Sequence, residues 1–113
     1  GVGGNTPKAK TYYQVTSKES ASKILSESEI TGKEFKEIYA WTEQPTLKQA
    51  KASGARNIET VIKFETNTAF EVDTTVAKNL QETARVSMRP GPISVQNVTE
   101  VGFKKPWWKF WGK

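Results

Sequence analysis

Hydrophobic and polar positions in this chain alternate in short runs of two different periods. Residues 11–16 (TYYQVT) are β-branched and aromatic and predict a strand. Ser17 then stands as an N-cap ahead of Ala21, Ile24, Leu25 and Ser28, whose i, i+3, i+4, i+7 spacing predicts an amphipathic helix of about three turns. Gly32 closes that region. Residues 37–42 (EIYAWT) predict a second strand. Pro45 suits the first turn of a second helix over Thr46 to Ala52, which Gly54 ends. In residues 58–64 (IETVIKF), Ile58, Thr60, Ile62 and Phe64 alternate with Glu59, Val61 and Lys63, the pattern of a third strand. Ala69 to Val72 predicts a short fourth strand and Thr74 to Leu80 one or two helical turns. Residues 84–88 read as a further strand, and Arg89-Pro-Gly-Pro is a turn by its chemistry. Ile93 to Gln96 and Val98 to Phe103 are the last strands.

Helices therefore come early and short strands accumulate late. A parallel doubly wound sheet needs strand–helix alternation throughout, and this chain stops alternating after Phe64. The order predicts an α+β fold, with either a strongly bent sheet or two small packed β-sheets and two or three short helices on one side. No glycine-rich dinucleotide or nucleotide loop is present.

Composition narrows the chemistry. The 113 residues are one domain's worth, and 35% hydrophobic with 11% aromatic residues suffices for a small core. There is no Cys and no His. That excludes Ser-His-Asp and Cys-His nucleophilic systems, imidazole acid–base catalysis, Cys/His zinc sites and disulfides. The apolar runs are too short for a membrane-spanning helix or a signal-peptide core. The net charge of +5 is uneven: residues 104–113 hold four Lys and no acid, leaving +1 for the rest. The body is near-neutral, unlike a uniformly basic nucleic-acid binder, so no stable DNA binding is expected.

Three stretches follow from this. Residues 1–10 are a Gly/Pro/Lys-rich linker, residues 11–103 a single domain, and residues 104–113 a basic aromatic tail holding Trp107, Trp108 and Trp111. The tail has several readings. It can stack on bases while Lys meets phosphate, sit at a membrane interface, complete the core, or grip a protein partner. Ten residues with a proline make a poor membrane helix, so membrane insertion is not expected.

Several residue groups can carry chemistry. On the first strand Tyr12 and Gln14 share one face, Tyr13 and Val15 the other, so one aromatic serves the core and a ring with an amide is available to a ligand. Tyr39 and Trp41 share a face of the second strand, ending in Thr42 and Glu43, where rings beside a hydroxyl and a carboxylate suit a flat heterocycle and its sugar. Glu100 lies on a late strand after Gln96 and Asn97; a carboxylate there can accept a bond from a ribose hydroxyl and stabilise an oxocarbenium ion. Arg85 and Arg89, two of only three Arg, are candidate phosphate clamps. Against each stands the plain alternative of core packing, a surface charge or a salt bridge.

Taken together, Tyr-Tyr-Gln-Val-Thr-Ser at the start, the region ending in Gly32-Lys33, Tyr-Ala-Trp-Thr-Glu, Thr-Val-Ile-Lys-Phe and Gly91-Pro92-Ile-Ser-Val resemble the C-terminal toxin domains of bacterial polymorphic (Rhs-type) effectors. The chain is most similar to their small ADP-ribosyltransferase type over about residues 11–100. The resemblance implies two small β-sheets that split to form an NAD cleft, and transfer of ADP-ribose from NAD to a macromolecule without a metal. Gln14 falls where the family usually has Arg or His. Tyr39, Trp41 and Thr42 fall on the motif that shapes the nicotinamide pocket. The expected cofactor contacts are thus Tyr12, Tyr13, Gln14, Tyr39, Trp41, Thr42 and Arg85. The family also calls for a carboxylate near a late strand, where Gln96 and Glu100 are nearest, with Glu43 as a further catalytic candidate. The resemblance implies delivery within a larger secreted effector, action in the cytoplasm of the target bacterium, a translation component such as elongation factor Tu or ribosomal RNA as target, and a cognate immunity protein. Two other readings remain open: a histidine-free ribonuclease toxin using Lys, Arg and Glu on tRNA or rRNA, and a non-enzymatic binding module.

Overall fold

The first strand organises the molecule. In the computed structural model, which describes residues 8–31, 37–74, 76, 78–83, 85–87 and 92–105, β1 (Lys10–Thr16) pairs antiparallel with β4 (Thr60–Thr66) along its whole length, from Lys10 opposite Thr66 to Thr16 opposite Thr60. β4 in turn carries β8 (Gln96–Glu100) at the sheet edge. On the other side of β1 come β3 (Tyr39–Trp41), β6 (Arg85–Ser87) and β5 (Glu71–Val72), giving the order β5-β6-β3-β1-β4-β8. A second, two-stranded sheet joins β2 (Glu29–Ile30) to β7 (Ile93–Ser94). All of these pairings are antiparallel, so the fold is α+β with two small antiparallel sheets, as the early helices and late strands predict.

Three helices complete it. α1 (Lys18–Glu27) starts where the Ser17 hydroxyl accepts the Ser20 N–H and ends at Ser28, which is left-handed at φ 56 and donates its N–H to Ile24. Ala21 and Ile24 are buried, but Leu25 is 42% exposed. In so short a helix the contact stripe is narrow, and Leu25 lies one residue's rotation beyond it. α2 (Leu47–Ala52) opens with a capping box between Thr46 and Gln49. Pro45 is buried just ahead of that cap rather than inside the first turn. α3 (Lys78–Thr83) falls later than the predicted turn. Gly32, Ala84, Met88, Arg89-Pro-Gly, residues 1–7 of the linker and residues 106–113 of the tail lie outside the described residues.

The main sheet buries both faces. On one, Tyr12, Ala40, Ile62, Phe64 and Val86 join Ile24, Ile30, Ile38 and Ile93, and the Tyr12 ring stacks on Phe70 with centroids 4.3 Å apart. On the other, Trp41 and Leu80 pack with Tyr13, Val15 and Val76. Two covered faces explain why Val61, Ile62 and Phe64 are all fully buried where alternation alone predicts a polar face for Val61. A bulge between Lys63 and Glu65 bends the sheet at its β8 edge; Asn97 takes φ 52 there, and its amide donates to Glu65 at 2.9 Å. Beyond β8 the chain stays against β4 and then reaches the segment before α2. Val101 and Gly102 both donate to the Val61 carbonyl, Gly102 at φ +76, and Lys104 donates to the Pro45 carbonyl at 2.8 Å. Among the described residues no helix is long and apolar enough to cross a membrane.

Candidate active site

β1 and β3 meet at one residue pair, Tyr13 opposite Trp41. Beyond it Gln14, Val15 and Thr16 keep β4 on one side and have no β3 partner on the other, because β3 runs away from β1 towards Ile38. The parting strands open a cleft of about 720 Å³, within the size range of small-molecule sites. Gln14, Val15 and Thr16 form one wall, Glu37, Tyr39 and Trp41 another, α1 contributes Lys23, Ile24 and Glu27, and residues 53–57 after α2 close it. α2 is stopped by Gly54 at φ +81, a conformation that favours glycine, and this turns the chain back along the cleft.

The polar groups here are linked. The Gln14 side-chain amide donates to the Tyr39 carbonyl at 3.5 Å, and its own oxygen is buried with no partner among the described residues. The Tyr39 hydroxyl donates to Glu37 at 2.7 Å. Trp41, only 3% exposed, is floor rather than lid. Among the described lining residues the carboxylates Glu27, Glu29 and Glu37 outnumber the cations Lys23 and Arg56, in a chain of net charge +5.

Three of the expected contacts, Gln14, Tyr39 and Trp41, come together in this cleft. Most of the others lie elsewhere, for identifiable reasons. Tyr12 is spent on the core, between Phe64 and Phe70; burial pushes its phenol above the usual tyrosine value. Tyr13 packs with Trp41 and Leu80 but does not itself line the cleft. Thr42 and Glu43 are exposed in the turn after β3 and do not line the cleft. Arg85 stands opposite Trp41 in the β3–β6 ladder, and its side chain lies outside what the structure describes. Gln96 is exposed opposite Glu65, and Glu100 is exposed opposite Ile62, where it accepts the Thr60 hydroxyl at 2.7 Å. Both belong to β8, with β4 between them and β1, so neither reaches the parting.

Lys23, Glu29, Glu37 and Arg56 are lining residues that sequence reasoning did not single out. For Glu37 the signal was available: Glu37, Tyr39 and Trp41 share the parity of one extended segment. No cluster of three or more His, Cys, Asp or Glu able to hold a metal occurs among the described residues. Comparison of the chain with protein-family models, curated proteins and solved structures returns no match.

Proposed function

We propose that this chain is an NAD-dependent mono-ADP-ribosyltransferase domain, the toxic end of a larger secreted antibacterial effector. It uses NAD as substrate and modifies a macromolecule in the cytoplasm of the target bacterium, with elongation factor Tu or ribosomal RNA as the target class and a cognate immunity protein as inhibitor. The observation that carries the reading is Gln14. Its amide sits where two central strands part, and its buried oxygen is an acceptor awaiting a donor. A ribose hydroxyl is such a donor. Trp41 and Tyr39 supply an aromatic floor and wall for a nicotinamide ring. The surplus of carboxylates suits a pyridinium and the sugar cation left behind when it departs.

The test is incubation of the folded domain with labelled NAD and bacterial lysate. Label transferred to a protein or RNA species is the expected result. No transfer to either, with the fold intact by circular dichroism, would overturn the proposal.

A further inference from the structure

We infer that residues 104–113, together with the solvent face of α2, form a docking surface for an anionic lipid bilayer, which they meet at its interface without crossing it. This goes beyond the transferase reading and does not depend on it. The segment holds four Lys, three Trp and one Phe, with no acid. No stretch elsewhere in the chain matches its excess of one charge or its aromatic content.

The start of the segment is fixed to the body. Val101 and Gly102 donate to the Val61 carbonyl, the Gln44 amide donates to the Gly102 carbonyl at 2.8 Å, and Lys104 donates its N–H to the Pro45 carbonyl at 2.8 Å. Lys104 and Lys105 are therefore held, exposed, beside the residues that lead into α2. α2 buries Ala50 and exposes Leu47, Lys48 and Lys51. Of the four large apolar side chains exposed among the described residues, Leu47 and Val101 flank this contact. The acids nearest in sequence are Glu43 and Glu100, and Glu100 already accepts the Thr60 hydroxyl.

The residue types select lipid over other polyanions. All four cations of the segment are Lys, and the chain's three Arg lie elsewhere. Bidentate phosphate recognition and stacking on bases favour the planar guanidinium. Protein interfaces are enriched in Arg and depleted of Lys. A bilayer surface asks for neither, since its charge is spread over many headgroups. A compact ammonium reaches that charge while its stem stays against apolar surface. Trp suits the boundary between headgroups and acyl chains, where its ring is in apolar surroundings and its N–H is wet. Leu47 and Val101 add nothing to base stacking, but aliphatic side chains partition into that boundary.

The experiment mixes the whole chain with vesicles of phosphatidylcholine alone, or with about one-third phosphatidylglycerol, and reads co-sedimentation and Trp fluorescence. We expect binding to the anionic vesicles only, with a blue shift in emission. That shift reports residues 104–113, because Trp41 is 3% exposed and belongs to the core. The double variant Lys104→Gln/Lys105→Gln should partition roughly 25-fold more weakly, about fivefold per Lys. Raised salt should weaken binding further. The triple variant Trp107→Ala/Trp108→Ala/Trp111→Ala should lose the shift with its circular dichroism unchanged. No binding to anionic vesicles at low salt would overturn the assignment and point to a protein partner. Tighter binding to single-stranded RNA than to the vesicles would overturn it in favour of RNA. Unfolding of the triple Trp variant without vesicles would overturn it by assigning those rings to the core. No NAD enters the measurement, so its outcome stands apart from that of the transferase reading.

Discussion

β1 has a closed side and an open side, and the two do different work. Towards β4 it is paired at all seven residues, with fully buried Val61, Ile62 and Phe64 opposite. Towards β3 it is paired at one, and the strands then separate around a cleft floored by Trp41. The closed side spends its side chains on apolar burial, which is where stability comes from. On the open side the Gln14 amide donates to the Tyr39 carbonyl, and the Tyr39 phenol donates to Glu37. A single strand can serve both ends because its neighbours differ in length: β4 has seven residues and β3 has three.

The largest effect that would break this division is expected at Phe64. Phe64→Ala on the closed side should cost about 3–5 kcal/mol by urea denaturation, since the ring is fully buried and cannot be replaced by collapse of one neighbour. A loss below 1 kcal/mol would show that stability does not reside there. A smaller effect is expected at Thr46, whose capping box starts the helix leading into the cleft wall of residues 53–57. Thr46→Ala should cost about 1 kcal/mol in the same measurement.

Tyr12 sharpens the comparison through pH. Its phenol is raised above the ordinary tyrosine value because burial disfavours the phenolate. Below about pH 10 the group is neutral in both states and contributes no pH dependence. Above that, the unfolded chain loses the proton first, so folded stability falls as pH rises through the raised value. The denaturation midpoint of wild type should therefore drop more steeply above about pH 10 than that of Tyr12→Phe, which keeps the stack on Phe70. Equal slopes would mean that Tyr12 is not held in the closed core. The smallest effect on stability is expected on the open side. Gln14→Ala removes one long hydrogen bond together with an unsatisfied oxygen, and should stay within about 0.5 kcal/mol of wild type.

Much of the closed side was legible in the sequence. TYYQVT and TVIKF carry the β-branched and aromatic signature of strands, and Ser17 and Thr46 announce the two helices they cap. β2 was not legible: Glu29–Ile30 is too short to show a period, and its pairing with β7 is set by contacts 65 residues away along the chain, as in Glu29 opposite Ser94. The burial of Val61 was hidden for a different reason, since alternation cannot reveal a strand covered on both faces. For the site, strand parity already grouped Gln14 apart from Tyr13, and Tyr39 with Trp41. What parity cannot supply is where two strands stop pairing. Glu100 has suitable neighbours in sequence but lies on the far edge of the sheet, while Lys23 and Arg56 reach the cleft only because α1 and the loop after α2 fold over it.

The central claim is that the open side of β1 binds NAD through Gln14, and ligand-induced stabilisation of wild type and Gln14→Ala tests it most directly. At about 100 times its Kd, NAD should add roughly 2.7 kcal/mol to the wild-type domain and raise its melting temperature by several degrees, with a much smaller rise in Gln14→Ala. An unchanged melting temperature at saturating NAD, or an equal rise in both proteins, would contradict it.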